Sequence, residues 1–202
     1  MEKGNGNGMP KIDLGIYLDK FDLSKDLDEI ETTLLTSLNI LFEKDDITFI
    51  SAYLYDEKRD LGMDIFCIKD VLQQIVNLRC YNRIVFQSRG KDFFITIGFM
   101  EQGLTIGVNL DYEFFDDMLE KRTPSQLLSF LQTKFYHLYE KVQYKFVFAD
   151  GDAEFDYSYC LLLEKTKKGK CPYSLLVMDD GGHLKQYKSS YNLLGIPYDC
   201  KN

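Results

Sequence analysis

Apolar and polar positions change period several times along the chain, and each change marks an element. "IDLGIYL" (12–18) alternates and predicts a strand. Leu27, Ile30, Leu34, Leu38 and Leu41 then recur at three- and four-residue steps, the pattern of an amphipathic helix, with Asp26 placed to cap it and Glu29 three positions on. "ITFISAYLY" (47–55) is a β-branched and aromatic strand. "MDIFCI" (63–68) predicts another, and "KDVLQQIVNL" a short helix through Val71, Leu72, Ile75 and Leu78. From Arg83 to Leu110, three alternating runs separated by "SRGK" and "EQG" predict an antiparallel meander. Its two internal glycines, Gly98 and Gly107, mark bulges or a close approach by another element.

The strongest helix signal begins at "TPSQ". Thr123 can cap, Pro124 suits the first helical position and Gln126 completes a capping box. Leu127, Leu131, Phe135, Leu138 and Val142 continue it as one stripe. "YKFVFA" (144–149) is then a strand, and "YSLLVM" (173–178), the turn "DDGG" and "HLKQYK" form a closing hairpin. The fold class that follows is α+β: a mostly antiparallel sheet with two long helices packed on one face. Both halves read strand, long helix, aromatic strand and acidic exit, at "SAYLYDE" and at "KFVFADGDAE", which suits a pseudo-duplicated unit. Residues 1–10, rich in glycine and asparagine, are expected to form a loose tail before a single domain over 11–202.

Composition narrows the function. The chain of 202 residues can bury a core without staples, and 28% charged residues suit an ordinary globular protein. Its net charge of −8 repels phosphate backbones, so direct nucleic-acid binding is disfavoured and cationic partners are favoured. The basic run "KTKKGK" (165–170) lacks interleaved aromatics and reads as a solvated turn. Five widely spaced cysteines form no CxxC or Cys/His cluster, which argues against structural zinc and for free thiols. No run reaches the ~20 apolar residues of a membrane span, and no signal peptide is apparent. A cytoplasmic location is therefore expected. With 14 tyrosines and no tryptophan, the chain has good interface material.

One stretch invites chemistry. "DGDAEFD" (150–156) places Asp150, Asp152, Glu154 and Asp156 at every second position. Counted as an EF-hand loop, it has Phe155 where the turn needs glycine and Leu161 where a bidentate glutamate belongs. A carboxylate-based metal enzyme using this cluster remains an alternative. Paired acids divide catalytic roles only when their environments separate their pKa values, however, and neither His137 nor His183 has an evident partner. No GxSxG, HExxH, P-loop or GxGxxG motif occurs. The third reading is recognition: along a strand, Glu154, Asp156 and Ser158 face one way while Phe155, Tyr157 and Tyr159 face the other. An acidic strand end that protects a sheet edge is the plainer version of the same pattern. "DYEFFDDMLE" (111–120), with five carboxylates and three rings, adds a second acidic run. Acidic exits at Asp56 and Asp150 would share a rim if the two halves were related.

The order of long helix, "YKFVFADGDAEFDYS" and terminal hairpin resembles bacterial immunity proteins of polymorphic toxin systems. An acidic "D-x-x-AE" element following an aromatic strand is matched by Asp150, Ala153 and Glu154. The resemblance covers the C-terminal third. It implies a cytoplasmic α+β inhibitor that binds a cognate toxin domain, basic and nuclease-like, without catalytic residues or cofactor. The partner-binding candidates are then Asp150, Asp152, Glu154, Asp156 and Tyr157, followed by Asp111, Glu113, Asp116 and Asp117. A generic protein-interaction module is the remaining alternative.

Overall fold

The structure is a computed structural model that describes residues 12–19, 27–42, 47–56, 58, 61–88, 90–100, 103–110, 122–151, 155–191 and 193. Nine strands form one sheet: β1 (Ile12–Leu18), β2 (Thr48–Asp56), β3 (Leu61–Ile65), β4 (Tyr81–Ser88), β5 (Lys91–Met100), β6 (Gly103–Leu110), β7 (Phe146–Asp150), β8 (Leu175–Asp180) and β9 (His183–Lys188). Their order is β3-β2-β4-β5-β6-β1-β7-β8-β9, and every neighbouring pair is antiparallel. Among the described residues, four helices accompany it: α1 (Leu27–Phe42), α2 (Ile68–Leu78), α3 (Pro124–Val142) and α4 (Tyr159–Lys167).

The alternation in each strand decides what the two faces hold. Ile12, Leu14, Ile16 and Leu18 of β1 join Ile84, Phe86, Ile95, Ile106 and Val108 under α1, α2 and α3, in one continuous buried core. Leu34 and Leu38 of α1, Val71 and Ile75 of α2, and Leu131 and Phe135 of α3 supply its helical side. The helix layer thus contains α2 as well as the two longer helices. On the opposite face, Tyr17, Phe146, Phe148, Leu176 and Met178 form a second cluster closed by Leu162 of α4 and by Tyr173. That cover is confined to the β7–β8 end. Over β2, β4, β5 and β6, no helix among the described residues packs on this second face.

Local signals explain most boundaries. The α3 capping box forms as its sequence predicts, with Gln126 N donating to Thr123 Oγ1 at 3.3 Å and Thr123 N donating to Gln126 Oε1 at 2.8 Å. The closing hairpin turns on Gly181 and Gly182 alone, both at positive φ, while Asp179 and Asp180 stay in β8. The meander is present, and neither Gly98 nor Gly107 is a bulge. The β5–β6 register runs unbroken from Phe94↔Asn109 to Met100↔Gly103. A bulge does occur in β2, between Phe49 and Ser51.

Four expectations need correction. The strand expected over 63–68 ends at Ile65, because Ile68 begins α2 and falls on the same helical stripe as Val71, Leu72 and Ile75. Tyr144 stays outside β7: it follows the left-handed cap Gln143, and its hydroxyl donates to Phe135 O at 2.9 Å. The segment after Asp156 is a helix, since Ser158 caps α4 by accepting from Leu161 N at 3.3 Å. Lys165 and Lys167 are therefore in its last turn, and within the run 165–170 the expected turn is confined to Lys168 and Gly169. The internal echo gives no equivalent strand neighbours either, for β1 and β2 are separated by β4, β5 and β6, whereas β6 and β7 both flank β1.

Candidate binding face

Register fixes which side chains share the open face. One cross-strand row reads Ser51, Val85, Phe94, Asn109, Asp13 and Asp150. Another holds Phe148, Gly15, Gly107 and Thr96, and Tyr53 pairs with Arg83 further along the sheet. A third contains Phe146, Tyr17, Thr105 and Gly98, while Tyr55 pairs with Tyr81. Directly paired residues point to the same side, so these rings, hydroxyls and charges form one surface.

At its centre lies a trough of about 760 Å³, within the range of small-molecule sites. Its floor is low because Gly107 and Gly98 lack side chains. The neighbouring hydroxyls take the space instead: a Cβ on Gly107 would lie 2.6 Å from Thr96 Oγ1, and one on Gly98 2.7 Å from Thr105 Oγ1. One wall is aromatic, with Phe155 set edge-on to Phe148 at a centroid distance of 5.1 Å. The other carries Arg83, whose guanidinium stacks 3.6 Å from the Phe94 ring centre. Arg79, at the left-handed C-cap of α2, also lines the trough. At the β1–β6 end, Asn109 Nδ2 donates to Asp13 Oδ1 at 2.5 Å.

The side of the face nearest β2 is open and tyrosine-rich. Tyr53 is 43% exposed and Tyr81 58% exposed, on either side of exposed Arg83. Tyrosine and arginine are the residue types that most often dominate binding energy at protein interfaces.

The acidic candidates are arranged differently. Asp150 Oδ1 accepts from Ser174 Oγ at 2.6 Å and from Gly151 N at 2.9 Å, so this carboxylate ties β7 to the start of β8. Tyr157 is half-buried, edge-on to Tyr173, with Lys165 Nζ 4.8 Å from its ring centre. Asp156 is exposed. Asp152, Glu154, Asp111, Glu113, Asp116 and Asp117 lie outside the described residues. The expected common rim for Asp56 and Asp150 does not form. Asp150 is level with Ser51 through the continuous row, and Asp56 lies at the other end of β2. Asp56 is also 6% exposed, accepting from Lys58 N at 3.0 Å.

A second polar cluster sits at the far end of β7. Lys145 Nζ donates to Asp179 Oδ2 at 3.3 Å and lies over the Tyr159 ring, whose hydroxyl donates to Asp179 O at 2.7 Å. Burial opposes ionisation of Asp179, but the Gly182 amide, Tyr139 and Lys145 outweigh it and hold the carboxyl below its usual range. Burial pushes the Tyr139 and Tyr159 hydroxyls upward. Every shift drives its group away from neutral pH, the signature of a tie between α4, α3 and the hairpin; a proton-transfer site needs the reverse. Among the described residues, no three His, Cys, Asp or Glu side chains converge as metal ligands.

Arg79, Tyr81 and Arg83 are site residues that sequence reasoning missed: Arg79 caps α2, and the alternation of Tyr81 and Arg83 in β4 does not say which face stays uncovered. No protein-family model, curated protein or solved structure matches this chain.

Proposed function

We propose that this chain is a binding protein of the inhibitor kind, which occupies a bacterial toxin domain through the open face of its sheet. The carrying observation is the contrast between the two faces: one is closed by three helices, and the other displays Tyr53, Tyr81 and Arg83 to solvent on a rigid lattice. A face that no described helix covers over β2, β4, β5 and β6, built on paired strands, is pre-organised, so little ordering entropy opposes docking. A net charge of −8 favours a basic toxin and speeds encounter, while the tyrosines supply the anchor. The C-terminal likeness to immunity proteins suggests the partner class and a cytoplasmic location. No described helix is long and apolar enough to cross a membrane.

The test is co-expression with the protein encoded immediately upstream of this gene, scoring host survival and co-purification at low and high salt. Rescue that is lost in a Tyr53→Ala/Tyr81→Ala variant supports the reading. Rescue retained in that variant moves the interface elsewhere, and no rescue with wild type removes the inhibitor reading.

A further inference from the structure

Two of the chain's five arginines, Arg79 and Arg83, line a single trough in a molecule of net charge −8. Among the described residues, no carboxylate forms an ion pair with either guanidinium. The Arg83 guanidinium carbon sits over Phe94, 3.6 Å from the ring centre, a contact that restrains the group and leaves donors for a ligand. In the floor beside it, the hydroxyls of Thr96 and Thr105 occupy the space that side chains at Gly107 and Gly98 would take. Facing it is the ring of Phe155, which comes within 3.8 Å of the Cβ position of Gly107. Planar fork, hydroxyl floor and aromatic wall meet across one cavity.

We propose that this trough binds a small molecule made of a flat apolar ring bearing a carboxylate or phosphate. The anion meets the Arg83 fork, where charge-assisted bidentate bonding is strongest, and the ring packs against Phe155. Thr96 and Thr105 offer hydroxyl donors along the floor. The assignment needs no docked protein and stands independently of the inhibitor reading.

The full chain is titrated with 2-naphthoate, 2-naphthamide and 2-naphthyl phosphate while its amide resonances are followed. The expected result is saturable shifts of Thr96, Gly98, Thr105 and Gly107 with the two anions. Binding of the neutral amide should be weaker by about tenfold or more, as should naphthoate binding to Arg83→Gln. Arg83→Lys keeps the charge but loses the fork and should fall between. Phe155→Ala should weaken all three ligands together. A phosphate preferred over the carboxylate identifies the anion as phosphate, and the reverse order identifies a carboxylate. The proposal is overturned if amide and acid bind equally, if Arg83→Gln binds as wild type does, or if the shifts lie away from the trough. The amide spectrum of each variant shows whether it has kept its fold.

Discussion

Phe148 lies over Gly15, its cross-strand partner, so closely that a Cβ on Gly15 would lie 2.1 Å from the ring's Cε1. The ring's other neighbour is Tyr173, stacked at 4.0 Å between centroids and 6° between planes. Gly15 is thus the seat of an aromatic pile that also includes Phe155, the trough's wall. Gly15→Ala forces Phe148 from this seat and should cost about 1–3 kcal/mol, the usual penalty for overpacking. Urea denaturation measures it. Because both changes act on one contact, Gly15→Ala combined with Phe148→Leu should cost less than the sum of the two single variants.

Asn82 replaces a piece of the β4–β5 ladder with a side chain. It is 3% exposed, accepts from Ile97 N at 2.7 Å and donates to Ile97 O at 2.6 Å. Asn82→Leu leaves a buried N–H and a buried carbonyl without these partners, and each such group costs about 1–3 kcal/mol. A loss of roughly 2–5 kcal/mol is expected. Amide exchange should localise it: Ile97 should lose protection ahead of its neighbours in β5. Unchanged exchange at Ile97 would contradict this role.

Much of this architecture is written locally, and the misses have identifiable causes. The Thr123 box and the Leu127–Leu138 stripe act within one helix, so sequence suffices for α3. The hairpin at Gly181–Gly182 is equally local. By contrast, Phe155, Tyr157 and Tyr159 alternate as a strand would, and all three pack half-buried against the second cluster, yet α4 begins at Tyr159. The competing signal was present in Ser158 as cap and in Leu162 and Thr166 four apart, but Leu161 stands where a capping-box glutamate would have announced it. The candidate site was the least legible part. Asp13 meets Asp150, and Gly15 meets Phe148, through pairings between chain segments remote in sequence. Which face of Arg83 and Tyr81 the helices leave open is decided only after α1, α2 and α3 have chosen the other.

Acid should weaken the fold partly through Asp179. Its folded carboxyl lies below the ordinary value near 3.8, so its stabilising contribution is complete above that value and is lost as pH falls through the lower, folded value. Burial alone would have raised it; the Gly182 amide, Tyr139 and Lys145 reverse the sign. Asp179→Asn should therefore be less stable than wild type at neutral pH, and the difference should shrink below about pH 4. A gap that stays constant between pH 7 and pH 3 would show that ionisation of Asp179 contributes nothing.

The thiols should react in a fixed order. Cys67 and Cys160 are exposed, whereas burial pushes the Cys171 thiol up to about 11, and its Sγ donates to Tyr173 O at 3.0 Å. The thiolate is the reactive form, so at pH 8 the reagent finds almost none at Cys171. Timed alkylation followed by peptide mapping should show Cys67 and Cys160 labelled first. Cys171 should be labelled only as fast as the fold opens, and urea should abolish the difference. Equal early labelling of Cys171 would mean that the second core opens readily.

The acidic run and the open face should separate by what each substitution changes. Asp150 is held by Ser174 and Gly151, so Asp150→Ala should cost about 1–3 kcal/mol of stability as the bonds from Ser174 Oγ and Gly151 N are lost. Partner affinity should hold at temperatures where the variant is folded. Asp156 is exposed, and Asp156→Lys should slow association with a basic partner at low salt, an effect that fades near 0.5 M salt as screening shortens to a few ångströms. Tyr81 is displayed on the rigid face, and Tyr81→Ala should act mainly on dissociation. A loss of about 2 kcal/mol, or roughly thirtyfold in affinity, is expected for an anchoring tyrosine. Surface-plasmon resonance at two salt concentrations reads both rate constants. If Asp150→Ala or Asp156→Lys speeds dissociation as much as Tyr81→Ala does, the contact lies along the 150–157 segment and not on the sheet. If Tyr81→Ala alone does so, the open face is the anchor and the acids act only at long range.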